Sequence, residues 1–148
     1  MKKKILLLWG ILCMFACACV RQEDSLGERF INHLKNPGNA SKITLNEMAD
    51  FHWDSMYYFM PYTDKEIVEE AIGFSADEIS DNLSSDDGVY LLFVKGKEIV
   101  CQVRGIPENF GFRFDFGKMD SYVKIDEKER SLFSIEKEGK VVTYTLKE

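Results

Sequence analysis

Hydrophobic residues along the 148-residue chain repeat in three ways, and each pattern predicts a different kind of segment. From Ile5 to Ala18 they run almost without interruption, over a stretch too short to cross a bilayer comfortably, which takes about 20 residues. Leu26, Phe30, Ile31 and Leu34 then share one side of a helix, which Ser25 and Glu28 open as a capping box and Asn36-Pro37-Gly38 ends. A second helical stripe holds Ile67, Val68, Ala71 and Ile72. There Thr63 caps the backbone, Glu66 reaches back to it, Tyr62 staples onto Ile67, and Gly73 gives a left-handed stop with Phe74 returning onto Val68. Ser75-Ala76-Asp77-Glu78 begins a further turn or two, with Ile79 and Leu83 inward, before Ser84 to Gly88 break it.

The third pattern is a two-residue alternation, and it predicts strands. Ile43 to Asn46 reads as one, and Trp53 to Met60, apolar on both faces, as a central one. Val89 to Val94 and Glu98 to Arg104 flank a Lys95-Gly96-Lys97 turn; Leu132 to Glu136 and Val141 to Leu146 flank Glu138-Gly139-Lys140. Between them lie Tyr122 to Asp126 and Phe110 to Phe116, in which Phe110, Phe112, Phe114 and Phe116 alternate with Gly111, Arg113 and Asp115 and are assigned to the core. Helices early and short-turned strands late predict an α+β fold. The expectation is a single domain over 25–148, an antiparallel sheet of about six to eight strands carrying an N-terminal helix and a short packed helix.

Lys2, Lys3 and Lys4 ahead of the apolar run give it the form of a secretory signal, 1–18. Its end, Phe15-Ala16-Cys17-Ala18-Cys19, resembles the lipobox of bacterial lipoprotein precursors, in which small residues precede a cysteine that is acylated and becomes the new N-terminus. Cys19 fits the small-residue pattern better; Cys17, preceded by Phe15 and Met14, is the alternative. The resemblance implies a protein lipid-anchored to the cell membrane or outer membrane of a bacterial envelope, on a tether, 19–24, that spans at most about 18 Å from Val20 to Asp24. Processing at Cys19 removes Lys2, Lys3 and Lys4 and no acidic residue, taking the formal net charge from −6 to −9. So acidic a domain is a poor fit to nucleic acid or to anionic lipid and a better one to a basic partner.

With Cys13 and Cys17 leaving and Cys19 acylated, Cys101 is the one thiol of the folded part, and no internal disulfide is available. Ile99, Cys101 and Val103 fall on one face of a strand pattern, which predicts a buried structural thiol. The set Phe51-His52-Trp53-Asp54, Met60-Pro61-Tyr62-Thr63, Glu66-Ile67 and Ile72-Gly73-Phe74 resembles a segment of small, uncharacterised bacterial lipoproteins and secreted proteins. That resemblance spans about residues 43–74 and implies an envelope protein with no catalytic residues to carry over.

Chemistry-bearing residues are sparse. His33 and His52 stand at no metal-ligand spacing, Asp86-Asp87-Gly88 lacks the spacing of a calcium loop, and neither a phosphate loop nor a nucleophile elbow occurs, so no metal or cofactor is expected. His52 and Asp54 can share a strand face across Trp53, which would serve acid–base chemistry, whereas Asp54 as an acceptor for the Pro61-Tyr62-Thr63 turn or a neighbouring strand serves structure. The reading leans away from an enzyme and toward a non-enzymatic binding module, with Trp53, Asp54 and Tyr62 as candidate binding residues. The alternatives are an inhibitor or immunity protein that binds a basic partner through aromatic residues, and a small hydrolase using His52 and Asp54.

Overall fold

The computed structural model describes residues 22–79 and 88–147, with side chains from residue 26. Helix α1 (Gln22–Lys35) leads into β1 (Lys42–Thr44), α2 (Leu45–Met48), β2 (Ser55–Phe59) and α3 (Lys65–Ile72). Then follow β3 (Val89–Lys95), β4 (Glu98–Gly105), α4 (Pro107–Phe110), β5 (Phe112–Asp115), β6 (Tyr122–Asp126), β7 (Leu132–Glu138) and β8 (Val141–Leu146). The fold is α+β, and its eight strands form two four-stranded sheets, ordered β1-β7-β8-β5 and β4-β3-β2-β6.

Strands apolar on both faces organise this arrangement. On β2 and β3, Met56, Leu91 and Phe93 turn toward the first sheet and meet Phe112, Phe114, Phe133, Val142 and Tyr144 in the main core. Tyr57, Phe59, Tyr90, Leu92 and Val94 turn the other way into a second core with Val68 and Ile72 of α3. Every residue from Val89 to Val94 is therefore buried, as a strand covered on both sides requires. Helix α1 adds Phe30 and Leu34 to the main core, and the Tyr144 hydroxyl donates to the Leu34 carbonyl at 2.8 Å. Near its start α1 lies so close to the edge strand β4 that a Cβ on Gly27 would stand 3.3 Å from the Gln102 carbonyl oxygen.

Several local expectations are corrected. The strands divide between two sheets instead of one, and β5 runs parallel to β8. Alternation fixes which way side chains point but not which strand lies alongside, and β5 is joined to β8 by no hairpin. Helix α1 begins at Gln22, so Ser25 lies inside it and the expected 19–24 tether is partly helical. Leu45 and Asn46 are helix instead of strand because Thr44 caps them: Glu47 N donates to Thr44 Oγ1 (3.3 Å) and Thr44 N to Glu47 Oε2 (2.8 Å). Phe110 ends α4, whose first residue is Pro107, and Gly111 (φ +78°) turns the chain so that β5 starts at Phe112. All four phenylalanines nonetheless serve the core, Phe110 and Phe116 from its margin.

Ile99 does not share a face with Cys101. The ladder pairs Phe93 with Cys101 but Val94 with Ile99, so a β-bulge absorbs Val100 and turns Ile99 toward the second core. Ser75 to Glu78 form no helix, although Ile79 is buried as expected. The signal segment, Cys13, Cys17, Cys19 and the residues 80–87, Leu83 among them, lie outside the described residues.

Candidate functional site

Chain direction reverses after β2 at Met60-Pro61-Tyr62-Thr63. Thr63 N donates to the Met60 carbonyl at 3.4 Å, closing a four-residue turn with Pro61 second and Tyr62, at φ +63°, third. This is the arrangement of a type II turn, whose third position normally takes Gly or Asn because a Cβ is strained there. Thr63 Oγ1 also donates to the Met60 carbonyl, at 2.7 Å, so it braces the turn and does not cap α3. Asp64 stands at the N-cap instead and makes no side-chain cap bond, so Glu66 has no Thr63 cap to reach. Gly73, at φ +83°, ends α3 as its position predicts.

The turn carries unusual surface. Among the described residues the exposed large hydrophobic side chains are Met60, Tyr62, Ile67, Ile106, Tyr122 and Leu132. Met60 and Tyr122 lie side by side at the end of β2, where Met60 N donates to Ser121 O at 3.1 Å and Tyr122 pairs with Phe59; Tyr62 follows in the turn and Ile67 in the first turn of α3. Tyr62 is 57 % exposed, Tyr122 and Ile67 40 % each and Met60 39 %, so Tyr62 and Ile67 are not the buried staple expected of them. The surface is backed by stacked Tyr57 and Phe59, whose rings lie 6.2 and 5.6 Å from that of Tyr122. Below it on β6, Asp126 accepts from Ser55 Oγ (2.6 Å) and pairs with Lys124 (3.0 Å). These bonds, Ser55 first, hold the Asp126 carboxyl below its ordinary range, and the bond to Asp126 holds the Lys124 ammonium above its own.

Of the three expected binding residues, only Tyr62 belongs to this surface. Trp53 is buried, edge-on to Phe93 at 5.4 Å, and is a core residue that precedes β2. Asp54 is exposed, and its carboxylate accepts the Gly96 amide at 2.7 Å, while its own backbone joins Val94 O and Glu127 N. Asp54 thus serves structure as an acceptor, but its donor is Gly96 in the β3–β4 turn and not the Pro61-Tyr62-Thr63 turn expected of it. Met60, Ile67 and Tyr122 were not singled out as site residues. A tyrosine following proline in a turn was the available signal for Tyr62.

A groove of about 730 Å³ lies along β4 between α1 and residues 77–78. Two of its polar side chains are engaged: Gln102 accepts from the Tyr90 hydroxyl (3.0 Å) and Arg104 lies over the Tyr90 ring (5.3 Å). Cys101 in its wall is 2 % exposed, and burial pushes its thiol pKa up to about 12, away from thiolate chemistry.

Among the described residues no group of three or more His, Cys, Asp or Glu stands where it could hold a metal ion, and no helix is long and apolar enough to cross a membrane. No family model, curated protein or solved structure matches the chain.

Proposed function

We propose that the protein is a lipid-anchored component of the bacterial envelope that acts as a non-enzymatic binding module, contacting its partner through Met60, Tyr62, Ile67 and Tyr122. The observation that carries this reading is the run of exposed hydrophobic side chains, Met60, Tyr62 and Ile67, that follows β2 beside the exposed Tyr122, with Tyr62 held at positive φ. Exposed apolar side chains scattered singly are ordinary, whereas a cluster backed by a rigid aromatic layer is the build of a contact surface. Backbone strain of the kind at Tyr62 collects where a side chain must be displayed. The hydrolase alternative gains no support from Asp54, whose carboxylate is taken up by the Gly96 turn.

Attachment through Cys19 suits this surface. Cys19 precedes α1 by a few residues, and the start of α1 lies on β4, whereas Tyr122 is on β6, at the opposite edge of the same sheet. Three strand spacings, roughly 14 Å, separate the two edges, so the contact surface sits away from the tethered one. The test is chemical cross-linking on intact cells making the full chain, comparing wild type with Tyr62→Asn and Tyr122→Ser. A discrete complex with wild type that both variants lose is expected. A pattern identical in all three overturns the proposed contact surface.

A further inference from the structure

We infer that the partner is a basic protein, which presents cationic side chains around an apolar contact to Tyr62 and Tyr122. This rests on the binding reading above and adds the chemistry of what is bound. The charges beside the surface supply the argument. Asp64 is the N-cap of α3, Glu66 lies in its first turn and Glu70 one turn further on, and Asp120 stands immediately before Ser121 and Tyr122; all four are exposed. Among the described residues none of these carboxylates is in an ion pair, whereas the nearby lysines are engaged: Lys65 with Glu69 at 3.9 Å and Lys124 with Asp126 at 3.0 Å. Lys118 is the cation nearby that no such pair neutralises. The surface therefore joins an apolar centre to a rim of unneutralised negative charge.

That combination discriminates between occupants. A second copy docking about a two-fold axis would set this acidic rim against itself, and like charges across an interface oppose association. An anionic lipid surface is repelled for the same reason. A basic protein gains on both counts, because the carboxylates steer its approach and the aromatic side chains supply the anchors around which interface energy concentrates. Tyr62 suits that part, since the turn between Met60 and Thr63 fixes its backbone before the partner arrives.

The test places a benzophenone amino acid at position 62 or 122 of the full lipidated chain, with position 132 as an exposed control on the other sheet. Cells are irradiated and adducts identified by mass spectrometry. The expected result is one protein adduct from positions 62 and 122, absent from 132, whose partner carries net positive charge. Its yield should fall about tenfold when Glu66→Lys, Glu70→Lys and Asp120→Lys are combined, and at high salt. Melting curves confirm that this variant is folded, and the combined Gln variants, with a smaller loss, serve if the lysine set is not. An adduct that ignores both charge and salt, or whose partner is acidic, overturns the basic partner while leaving the contact surface in place. Adducts to a second copy or to lipid overturn it too. No adduct at 62 or 122 above the level at 132 removes the contact surface itself.

Discussion

The Asp54 carboxylate accepts the Gly96 amide at 2.7 Å, so the residue just before β2 ties down the turn between β3 and β4. The bond is solvent-exposed, and Asp54→Ala should cost about 0.5–1.5 kcal/mol, the net worth of one such hydrogen bond. His52→Ala, on an exposed side chain, should stay within about 0.5 kcal/mol of wild type. Urea melts of the two variants check both values.

Two turn positions should respond to different degrees. Gly73→Val places a β-branched side chain at φ +83° and should lose roughly 1–2 kcal/mol. Tyr62→Asn keeps a residue that tolerates φ +63° and should lose less than Gly73→Val does. A large loss in Tyr62→Asn would mean that the ring supports the fold instead of being displayed by it.

Stability should fall in alkali. Burial raises Tyr90, Tyr144 and Cys101 to about 12, from ordinary values of 10.0 for the tyrosines and 9.0 for the thiol. Each group thus keeps its proton more tightly in the folded chain, and the unfolded chain is the first to ionise as pH rises. Their contribution is complete below pH 9 and is lost progressively between the ordinary values and about 12. Urea midpoints at intervals from pH 8 to 12, for wild type and Tyr144→Phe, should give the shallower decline for the variant.

Cys101 should behave as an inert thiol. At neutral pH an aromatic disulfide reagent should label it only at the rate of unfolding, and promptly once denaturant is added. Fast labelling of the native protein would place the thiol in contact with solvent.

The proposed membrane attachment can be tested apart from folding. Cys19→Ser should release the protein from membranes or leave its precursor uncleaved, with the melting curve of the folded part unchanged. Mass spectrometry of the mature N-terminus distinguishes acylation at Cys19 from acylation at Cys17. More than one acyl chain is expected, since a single chain binds only marginally.

What could be read from the residues follows from how local each signal is. Tyr122–Asp126 and Val141–Leu146 have the bounds that alternation assigns them, because their side chains obey the pleat from end to end. The two-sided apolar pattern of Trp53 to Met60 likewise marks a central strand, and β2 lies inside the order β4-β3-β2-β6. Leu45 was misplaced because three apolar-leaning residues look alike in a strand and in a capped turn, and only the Thr44 to Glu47 spacing separates them. The bulge at Val100 depends on the partner strand, which no local pattern contains. Of the exposed hydrophobic residues after β2, Tyr62 stands out in the sequence, whereas Ile67 fits a buried stripe equally well and is 40 % exposed in the fold. Trp53 is a candidate binding residue in the sequence and a core residue in the fold, because an indole looks the same in sequence whether it serves a core or an interface.

The bond from Tyr144 to the Leu34 carbonyl also sets an order of events in the making of the protein. Helix α1 leaves the ribosome early and β8 late, and the helix needs the strand to satisfy its last turn. Until β8 has emerged, Phe30 and Leu34 have no complete core to enter. A chain still emerging from the ribosome is therefore held open by geometry alone until its β8 segment is free to join.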